Sequence, residues 1–234
     1  MIKTVDYLSE KICRIRLEPA NPLYYRAGQF INLRRGDGLI RSFSLASVPA
    51  LDPFLELHVK SLPGGAMSNW IYDIAHQGAS IDIQGPHGAC FYIPGQTTQP
   101  LLLIGNGAGL SPLIGIAHDA INDGHTGPIH LYHGTRHAAG LYLDDTLRKM
   151  DSEHENFFYN GCLSREEAPG KHHGRAEDIA FSSHTDLSGW RVYLCGYPPM
   201  IVDAQRRAFL AGAALSDIHI NAFELRDLRT ESRE

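Results

Sequence analysis

The feature that most constrains this chain of 234 residues is a change in the period of its apolar residues near residue 95. Before that point apolar and polar residues alternate, as in the stretches 13–18, 55–60 and 81–84. Alternation with a period of two indicates antiparallel strands that have one buried and one solvated side. A helix is indicated only around residues 67–74. The first part of the chain is therefore predicted to fold as a small antiparallel β-barrel.

Beyond residue 100 the apolar residues instead form short uninterrupted runs, which suit strands that are buried on both faces. These runs lie at 101–104, 129–132, 157–159 and 192–195. Helical patterns separate them at 112–121, 141–150 and 198–210. Alternation of strand and helix predicts an α/β domain with a doubly wound parallel sheet and right-handed crossovers. Because the segment between the two patterns resembles a linker, we expect two domains, 1–96 and 97–234.

Charge and composition narrow the classes of function. The chain has 21 Lys and Arg against 26 Asp and Glu, which gives a net charge of −5 and argues against binding nucleic acid or an anionic membrane through a broad basic surface. The first residues lack the apolar core of a signal peptide, and no apolar run is long enough to cross a membrane. We therefore expect a cytoplasmic enzyme that binds neither nucleic acid nor membrane.

Cysteines and histidines give no indication of a metal site. The four cysteines are Cys13, Cys90, Cys162 and Cys195. Their wide spacing does not match an iron–sulfur cluster, a zinc site or a disulfide framework, so we expect free thiols. His130 and His133 are three positions apart on a predicted strand, so their side chains would point to opposite faces and could not share an ion.

A glycine-rich loop follows the first strand of the predicted parallel sheet. Residues 105–112 have the sequence GNGAGLSP, in which the glycines permit a tight turn and a close approach to a ligand. The free N–H groups and the dipole at the start of the following helix favour a phosphate group. Leu110 stands where the usual dinucleotide fingerprint has its third glycine, and no acid ends the next strand. Taken alone, the loop is compatible with a dinucleotide site or with a turn that binds nothing.

Five short motifs in a fixed order resemble those of the ferredoxin–NADP reductase family. In chain order they are Arg41-Ser42-Phe43-Ser44, Gly64-Gly65-Ala66-Met67-Ser68, the 105–112 loop, Cys195-Gly196-Tyr197-Pro198-Pro199-Met200 and Asn221-Ala222-Phe223. The resemblance covers nearly the whole chain. It implies an FAD-binding barrel followed by an NAD(P)-binding domain, and transfer of hydride from nicotinamide C4 to flavin N5.

On the flavin side, the resemblance gives each motif residue a role. Arg41 would pair with a flavin phosphate, because a guanidinium fork fits phosphate oxygens. Phe43 would offer a flat face to the isoalloxazine, and Ser44 would place a hydroxyl near N5. The glycine loop ending at Ser68 would hold the FAD pyrophosphate, which favours FAD as a resident group. The other flavin-binding residues implied are Ser42, His58, Val59, Lys60, Gly64, Gly65, Ala66 and Met67.

On the nicotinamide side, the resemblance places Cys195 beside C4, where the thiol helps to position the ring. Phe223 would cover the flavin until nicotinamide displaces it, so Ser44, Cys195 and Phe223 are the candidate catalytic residues. Further dinucleotide contacts are implied for Gly107, Ala108, Gly109, Pro112, Gly196, Tyr197, Pro198 and Met200. The chain departs from the family at Ala108, where Thr or Ser is usual, and at Phe43, where Tyr is commoner.

The choice between NADPH and NADH depends on residues after the third parallel strand. Ser164 and Arg165 resemble the pair that grips the 2′-phosphate of NADP, and Arg136 and Arg175 could assist them. The acids at 166 and 167 would repel that phosphate. On balance we expect NADPH to be favoured.

The resemblance implies an FAD-dependent NAD(P)H oxidoreductase that passes electrons to a separate acceptor such as a ferredoxin or an oxygenase component. One alternative is an NAD(P)H:flavin reductase that releases reduced flavin, which the pyrophosphate loop at 64–68 opposes. Another is a non-catalytic regulatory subunit that binds flavin or nucleotide. The charged segment after Phe223 is expected to be a solvated end.

Overall fold

A computed structural model describes residues 1–49, 51–73 and 78–223 of the chain. The charged segment after Phe223 and the end of the first predicted helix lie outside the described residues. Within the described ranges, no helix has both the length and the apolar character that crossing a membrane requires.

The N-terminal half contains two three-stranded antiparallel sheets. The first consists of β1 (Ile2–Ser9), β2 (Ile12–Leu17) and β5 (Leu55–Lys60), with β2 in the centre. The second consists of β3 (Phe30–Arg34), β4 (Ile40–Ser44) and β6 (Asp82–His87), with β3 in the centre. Helix α1 (Ala66–Asp73) follows β5.

The two sheets enclose one apolar core. Leu45, directly after β4, pairs with Leu57 of β5 in an antiparallel bridge that joins the sheets. Ile15 from the first sheet and Ile31 from the second are both fully buried in this core. The alternating sequence pattern produces the arrangement, because every second side chain of a strand points to the same face. The antiparallel barrel predicted for this half is confirmed, and it is built from two sheets.

The C-terminal half is a six-stranded parallel sheet with helices on both faces. Its elements in chain order are β7 (Leu101–Asn106), α2 (Leu110–Asn122), β8 (Ile129–Thr135), α3 (Asp144–Glu153), β9 (Phe157–Leu163), β10 (His172–His173), α4 (Ala176–Ser183), β11 (Arg191–Gly196), α5 (Pro198–Leu210) and β12 (Ile218–Ala222). The spatial order is β10-β9-β8-β7-β11-β12, and every pair is parallel. The predicted doubly wound sheet is confirmed.

The strand order reverses between β7 and β11. From β7 the chain winds through β8 and β9 on one side, and it then continues with β11 and β12 on the other. The two crossovers leave this point in opposite directions, so a crevice opens outside the carboxyl ends of β7 and β11. Open α/β sheets usually bind their ligands in such a crevice.

Helix α2 packs against the N-terminal half as well as against its own sheet. A Cβ atom on Gly115 of α2 would lie 2.9 Å from the carbonyl oxygen of Ala46, and one on Gly28 would lie 2.7 Å from Ile116 Cγ1. The hydroxyl of Ser111 donates a hydrogen bond to the carbonyl oxygen of Ser44 at 3.1 Å. The two halves therefore meet along a closely packed seam that includes the start of α2.

Candidate functional site

The floor of the crevice at the strand reversal consists of closely packed backbone. A Cβ atom on Gly109 would clash with the carbonyl oxygen of Cys195, and one on Gly105 would lie 2.7 Å from Leu113 Cδ1. A side chain at either position would push the loop away from β11 or α2. These two glycines are therefore required by the packing of the loop itself.

Gly107 differs because its backbone is left-handed, with φ of +51°, and a Cβ atom there would have only Lys60 Nζ, at 3.5 Å, within contact distance. Lys60 comes from β5 of the N-terminal half, so the loop is covered by a cation from the other domain. The Lys60 side chain is exposed, but partial desolvation of its ammonium lowers its pKa, and Arg136 and Lys11 lower it further through charge repulsion. Lys60 Nζ thus lies beside Gly107, and an anion such as a phosphate group would relieve the repulsion that Arg136 and Lys11 exert on it.

Asn106 ties the two edges of the crevice together. Its side-chain oxygen accepts a hydrogen bond from the N–H of Tyr197 at 3.2 Å. A Cβ atom on Gly196, which has φ of +130°, would clash with that same oxygen. The start of α5, with Pro198 in its first turn, is thereby held against the end of β7.

Ser44 lies at the seam and receives a hydrogen bond from the last strand of the sheet. The amide nitrogen of Asn221 donates to Ser44 Oγ at 3.0 Å. Asn221 is the register partner of Cys195 on the neighbouring strand. Because the Ser44 oxygen accepts from Asn221, its own O–H remains available to donate to another group. Two of the three candidate catalytic residues are thus linked through Asn221.

Cys195 is fully buried, and its Sγ lies 3.8 Å from Sγ of Cys90 in the N-terminal half. Burial raises the pKa of the Cys195 thiol well above its usual range, and the neighbouring Cys90 raises it further. The thiol is therefore protonated at neutral pH, in keeping with a packing and positioning role rather than a nucleophilic one.

Phe223 lies directly beyond β12, at the same end of the sheet as Cys195. Its N–H donates to the carbonyl oxygen of Gly196 at 2.8 Å, and its side chain is half-buried. The third candidate catalytic residue is therefore next to the crevice.

The Arg41–Ser44 motif forms the end of β4. The Arg41 guanidinium donates to the carbonyl oxygen of Ile40 at 2.7 Å and has no carboxylate partner within the described ranges. Ser42 donates to the side-chain oxygen of Asn32 at 2.7 Å, and half-buried Phe43 packs against the barrel core. Arg41 is thus a cation without a neutralising side chain beside it, as a phosphate ligand requires.

The glycine loop before α1 is shaped by its own contacts. Gly64 has φ of +71°, which favours glycine, and a Cβ atom on Gly65 would clash with Ser68 Oγ. The Ser68 hydroxyl donates to the carbonyl oxygen of Gly65 at 3.1 Å. Arg35, which belongs to none of the sequence motifs, donates to the carbonyl oxygen of Ala66 at 2.9 Å.

Three of the four residues predicted to bind the 2′-phosphate, namely Arg136, Ser164 and Arg165, lie together just beyond the ends of β8 and β9, and Arg175 precedes α4. The N–H of Arg165 donates to the carbonyl oxygen of Arg136 at 3.0 Å, and Ser164 is bonded to the end of β8 in the same way. Glu166, whose charge would oppose a phosphate, accepts from the N–H of Ala138 at 2.8 Å. Arg175 lies 3.8 Å from Glu177, so it faces a carboxylate.

The remaining residues of the sequence motifs divide into buried and accessible ones. Met67 and Met200 pack into the cores of their own halves, and the side chains of His58, Val59 and Pro112 are buried, so at these positions the backbone is the part open to a ligand. Ala108 is half-buried against α2, while Tyr197 is about half exposed beside the crevice. No local signal in the sequence marks Asn106 as a bridging residue, because its role depends on a hydrogen bond with Tyr197, 91 positions further along the chain.

The donor sets at the two loops fit the groups that the sequence resemblance implies. Arg41, near the start of β4, offers a guanidinium without a carboxylate partner among the described residues for the FAD phosphates, and the Lys60 ammonium beside Gly107 suits a dinucleotide pyrophosphate. Both loops expose glycine backbone where a Cβ would restrict access or conformation.

Comparison with known proteins gives two family matches. Residues 5–92 match the oxidoreductase FAD-binding domain, and residues 103–206 match the oxidoreductase NAD-binding domain. A ferredoxin–NAD(P)+ reductase component of naphthalene 1,2-dioxygenase/salicylate 5-hydroxylase systems, from Ralstonia sp., is 31% identical over 95% of this chain. The reductase subunit of an aromatic O-demethylase from Amycolatopsis is 37% identical over 84% of this chain.

A solved structure of a reductase has a similar fold. The crystal structure of a cytochrome P450 reductase from Amycolatopsis superposes with a TM-score of 0.89 at 32% identity, covering 95% of this chain and 68% of that one. This chain spans 67% of the length of the Ralstonia relative and 60% of the Amycolatopsis O-demethylase subunit. The relatives are therefore longer than this chain.

Proposed function

Because this chain belongs to the ferredoxin reductase-like family of FAD- and NAD-binding oxidoreductases, we propose that it carries electrons from NAD(P)H through FAD to a separate acceptor. We propose as acceptor a ferredoxin or the terminal component of an oxygenase, since the matched Ralstonia relative is named as a reductase component of such systems. We also propose that the domain boundary follows residue 96, so that residues 1–96 bind FAD and residues 97–234 bind the nicotinamide dinucleotide.

The observation that carries this proposal is the link between Ser44 and Cys195 across the seam. Asn221 pairs with Cys195 in the parallel sheet and donates its side-chain N–H to Ser44 Oγ at 3.0 Å. A hydroxyl from the FAD-binding half and a thiol from the NAD-binding half are thus held at one location. A reaction between two cofactors, each bound by one half, needs such a location, because their reactive rings must be held in contact.

When bound, FAD would accept two electrons from a reduced nicotinamide and release them one at a time. The residues of this chain would supply binding and orientation. We propose that Arg41 and the 64–68 loop hold the FAD phosphates, while Ser42, Phe43 and Ser44, with the backbone at 58–60, contact the isoalloxazine. Phe223 would cover the ring from the C-terminal half, where it is bonded to Gly196.

For the dinucleotide, we propose that the 107–112 loop binds the pyrophosphate together with the ammonium of Lys60. Cys195 and the segment 196–200 would position the nicotinamide. We propose NADPH as the preferred donor. Arg136 and Arg165 are neighbours at adjacent strand ends and have no carboxylate partner among the described residues, whereas the Glu166 carboxylate is bonded to a backbone N–H.

The test uses the purified chain. We expect it to keep a yellow FAD spectrum through gel filtration, to be reduced anaerobically by NADPH faster than by NADH, and to reduce ferricyanide with NADPH. Loss of the flavin on the column with full activity on added flavin would instead identify a flavin reductase. A chain that binds FAD but is reduced by neither coenzyme would overturn the enzymatic proposal.

A further inference from the structure

A chain of hydrogen-bonded polar side chains, partly buried at Arg16 and Glu56 and fully buried at His58, crosses the seam between the two halves. Arg16 Nε lies 2.8 Å from Glu56 Oε2, and Glu56 Oε1 lies 3.1 Å from His58 Nε2. The other nitrogen of that ring, Nδ1, lies 3.3 Å from the hydroxyl of Tyr142 in the C-terminal half. The imidazole of His58 is fully buried. These side chains take no part in the contacts assigned above to the cofactors.

The direction of these hydrogen bonds follows from the protonation of the two ionisable groups. Burial lowers the pKa of His58, so its ring is neutral and carries one N–H. Burial alone would raise the pKa of Glu56, but hydrogen bonds from His58 and Arg16 outweigh it and lower that pKa to about 2. The ionised carboxylate accepts the His58 Nε2–H, which leaves Nδ1 to accept the Tyr142 hydroxyl.

The Tyr142 ring connects this chain to a second buried histidine. It makes an edge contact with His58, at 5.3 Å between ring centroids, and another with His133 of β8, at 5.5 Å. His133 is fully buried, and its Nε2 lies 3.1 Å from the carbonyl oxygen of Gly107. A carbonyl oxygen can only accept, so Nε2 carries the proton, and Nδ1 of the same ring has no hydrogen-bond partner among the described residues.

This contact fixes a peptide group of the glycine loop. Gly107 has left-handed backbone, a conformation in which the flanking peptide planes rotate with little steric hindrance. Its carbonyl oxygen accepts from His133 and from the N–H of Leu110. Because the C=O and N–H of a trans peptide point in opposite directions, holding the Gly107 carbonyl toward His133 aims the N–H of Ala108 the other way. Rotation of that peptide would present a carbonyl oxygen in its place.

We infer that His133 is a positioning residue for the dinucleotide loop, and that Tyr142 and His58 tether it to the flavin-side strand β5. The inference rests on the proposed function for its ligand, but the peptide orientation is a property of the protein alone. His133 keeps the loop in the form whose N–H groups face an anion. Because Tyr142 and His58 belong to different halves, this loop conformation also depends on how the two halves pack against each other.

The experiment compares His133→Leu with His133→Gln, because a glutamine amide can place an N–H near the position of Nε2. His130→Leu is the matched control, since it removes a histidine from the same strand whose ring packs instead between Phe158 and His184. We expect His133→Leu to speed hydrogen exchange of peptides covering 105–112 on the order of tenfold in protein without dinucleotide. Its Kd for NADP+ should rise by a similar factor with FAD content unchanged. His133→Gln should stay within about threefold of the parent.

Unchanged exchange in His133→Leu, an equal effect of His130→Leu, or no rescue by His133→Gln would each overturn the inference. Should His133→Leu fail to fold, Tyr142→Phe decides the tether, because it keeps the ring and removes only the hydroxyl bonded to His58. It should speed exchange at 105–112 by about threefold, and an unchanged rate would overturn that part. If the parent protein binds no dinucleotide, the proposed function is wrong. The hydrogen-exchange rate at 105–112 then still tests whether His133 holds the loop.

Discussion

The side-chain amide of Asn221 donates to Ser44 Oγ at 3.0 Å, and it thereby joins the last strand of the C-terminal sheet to the end of β4 in the barrel. This bond leaves the serine proton free to donate across the seam. A hydroxyl whose lone pair is already engaged presents a donor in a fixed direction. Orientation of that donor therefore depends on a residue from the opposite half.

We expect Asn221→Ala to slow reduction of bound flavin by NADPH by about tenfold, because the Ser44 hydroxyl loses the partner that orients it. FAD content should not change, since Arg41 and the 64–68 loop are untouched. Stopped-flow absorbance at the flavin maximum measures the rate. Asn160→Ala, on strand β9 and separated from β11 by β8 and β7, is the control. Equal rates in both variants would contradict the role given to Asn221.

Replacing Cys195 with Ser should slow flavin reduction and leave FAD content unchanged. Because burial and Cys90 raise the pKa of this thiol, the parent should show no step in rate from thiolate formation between about pH 6 and 9. Cys162→Ser is the matched control, as Cys162 is equally buried but lies in the core under α4 and α5. A rate that rises with a thiol titration in this range would show that Cys195 acts as an anion.

Arg41→Ala should weaken FAD binding by about 1.5–3 kcal/mol through loss of a charge-assisted contact with phosphate. The guanidinium has no carboxylate partner among the described residues, so its removal leaves no unpaired anion behind. Flavin retained after dialysis and fluorescence titration with FAD measure the change. Arg34→Ala, an exposed arginine at the end of the neighbouring strand, should bind FAD as the parent does.

Replacing both Arg136 and Arg165 with Ala should raise KM for NADPH by at least about tenfold and leave KM for NADH within about threefold. The 2′-phosphate is the only group that distinguishes the two coenzymes, and these guanidiniums are neighbours at adjacent strand ends. Lys149→Ala, on the exposed face of α3, is the control for general loss of positive charge. An equal rise for both coenzymes would place the arginines at the shared pyrophosphate.

Stability should increase with pH between about 4 and 6.5. Burial lowers the pKa of His130 and of His133 to about 4, whereas the unfolded chain titrates near 6.5. In this window the unfolded state binds more protons, so the free energy of unfolding rises with pH and levels off above it. Urea unfolding at about pH 5 and pH 7 measures the difference. His130→Phe should show a smaller one, because phenylalanine can stack on Phe158 and does not titrate.

The spacing of apolar residues was sufficient to predict the fold of each half. Strands buried on one face show alternating apolar and polar residues, whereas strands buried on both faces show uninterrupted apolar runs. The alternation around Ile15 produced an antiparallel strand, and the unbroken run at 101–104 produced a central parallel one. The need for glycine at 105, 107 and 109 could likewise be predicted, because it depends on the local backbone conformation and on close packing, whereas the binding roles of these residues stay predictions.

Contacts between distant segments could not be predicted in the same way. Asn221 meets Ser44 across 177 positions, and His58 meets Tyr142 across 84. Nothing in the local pattern at Tyr142 distinguishes a tyrosine that bridges two halves from one that fills a core. His133 could be excluded as a metal ligand shared with His130, yet its bond to the Gly107 carbonyl depends on how a loop returns over β8.

The packing of Gly115 against Ala46 has a consequence for how a coenzyme enters. Helix α2 begins at the glycine loop and is pressed onto the barrel with no room for a methyl group. Separating the two halves by a hinge motion would have to break both that contact and the hydrogen bond from Ser111 to the carbonyl oxygen of Ser44. If the coenzyme binds in the crevice as proposed, we expect its access to depend on rotation of the half-buried Phe223 and the exposed Tyr197 side chains rather than on separation of the two halves.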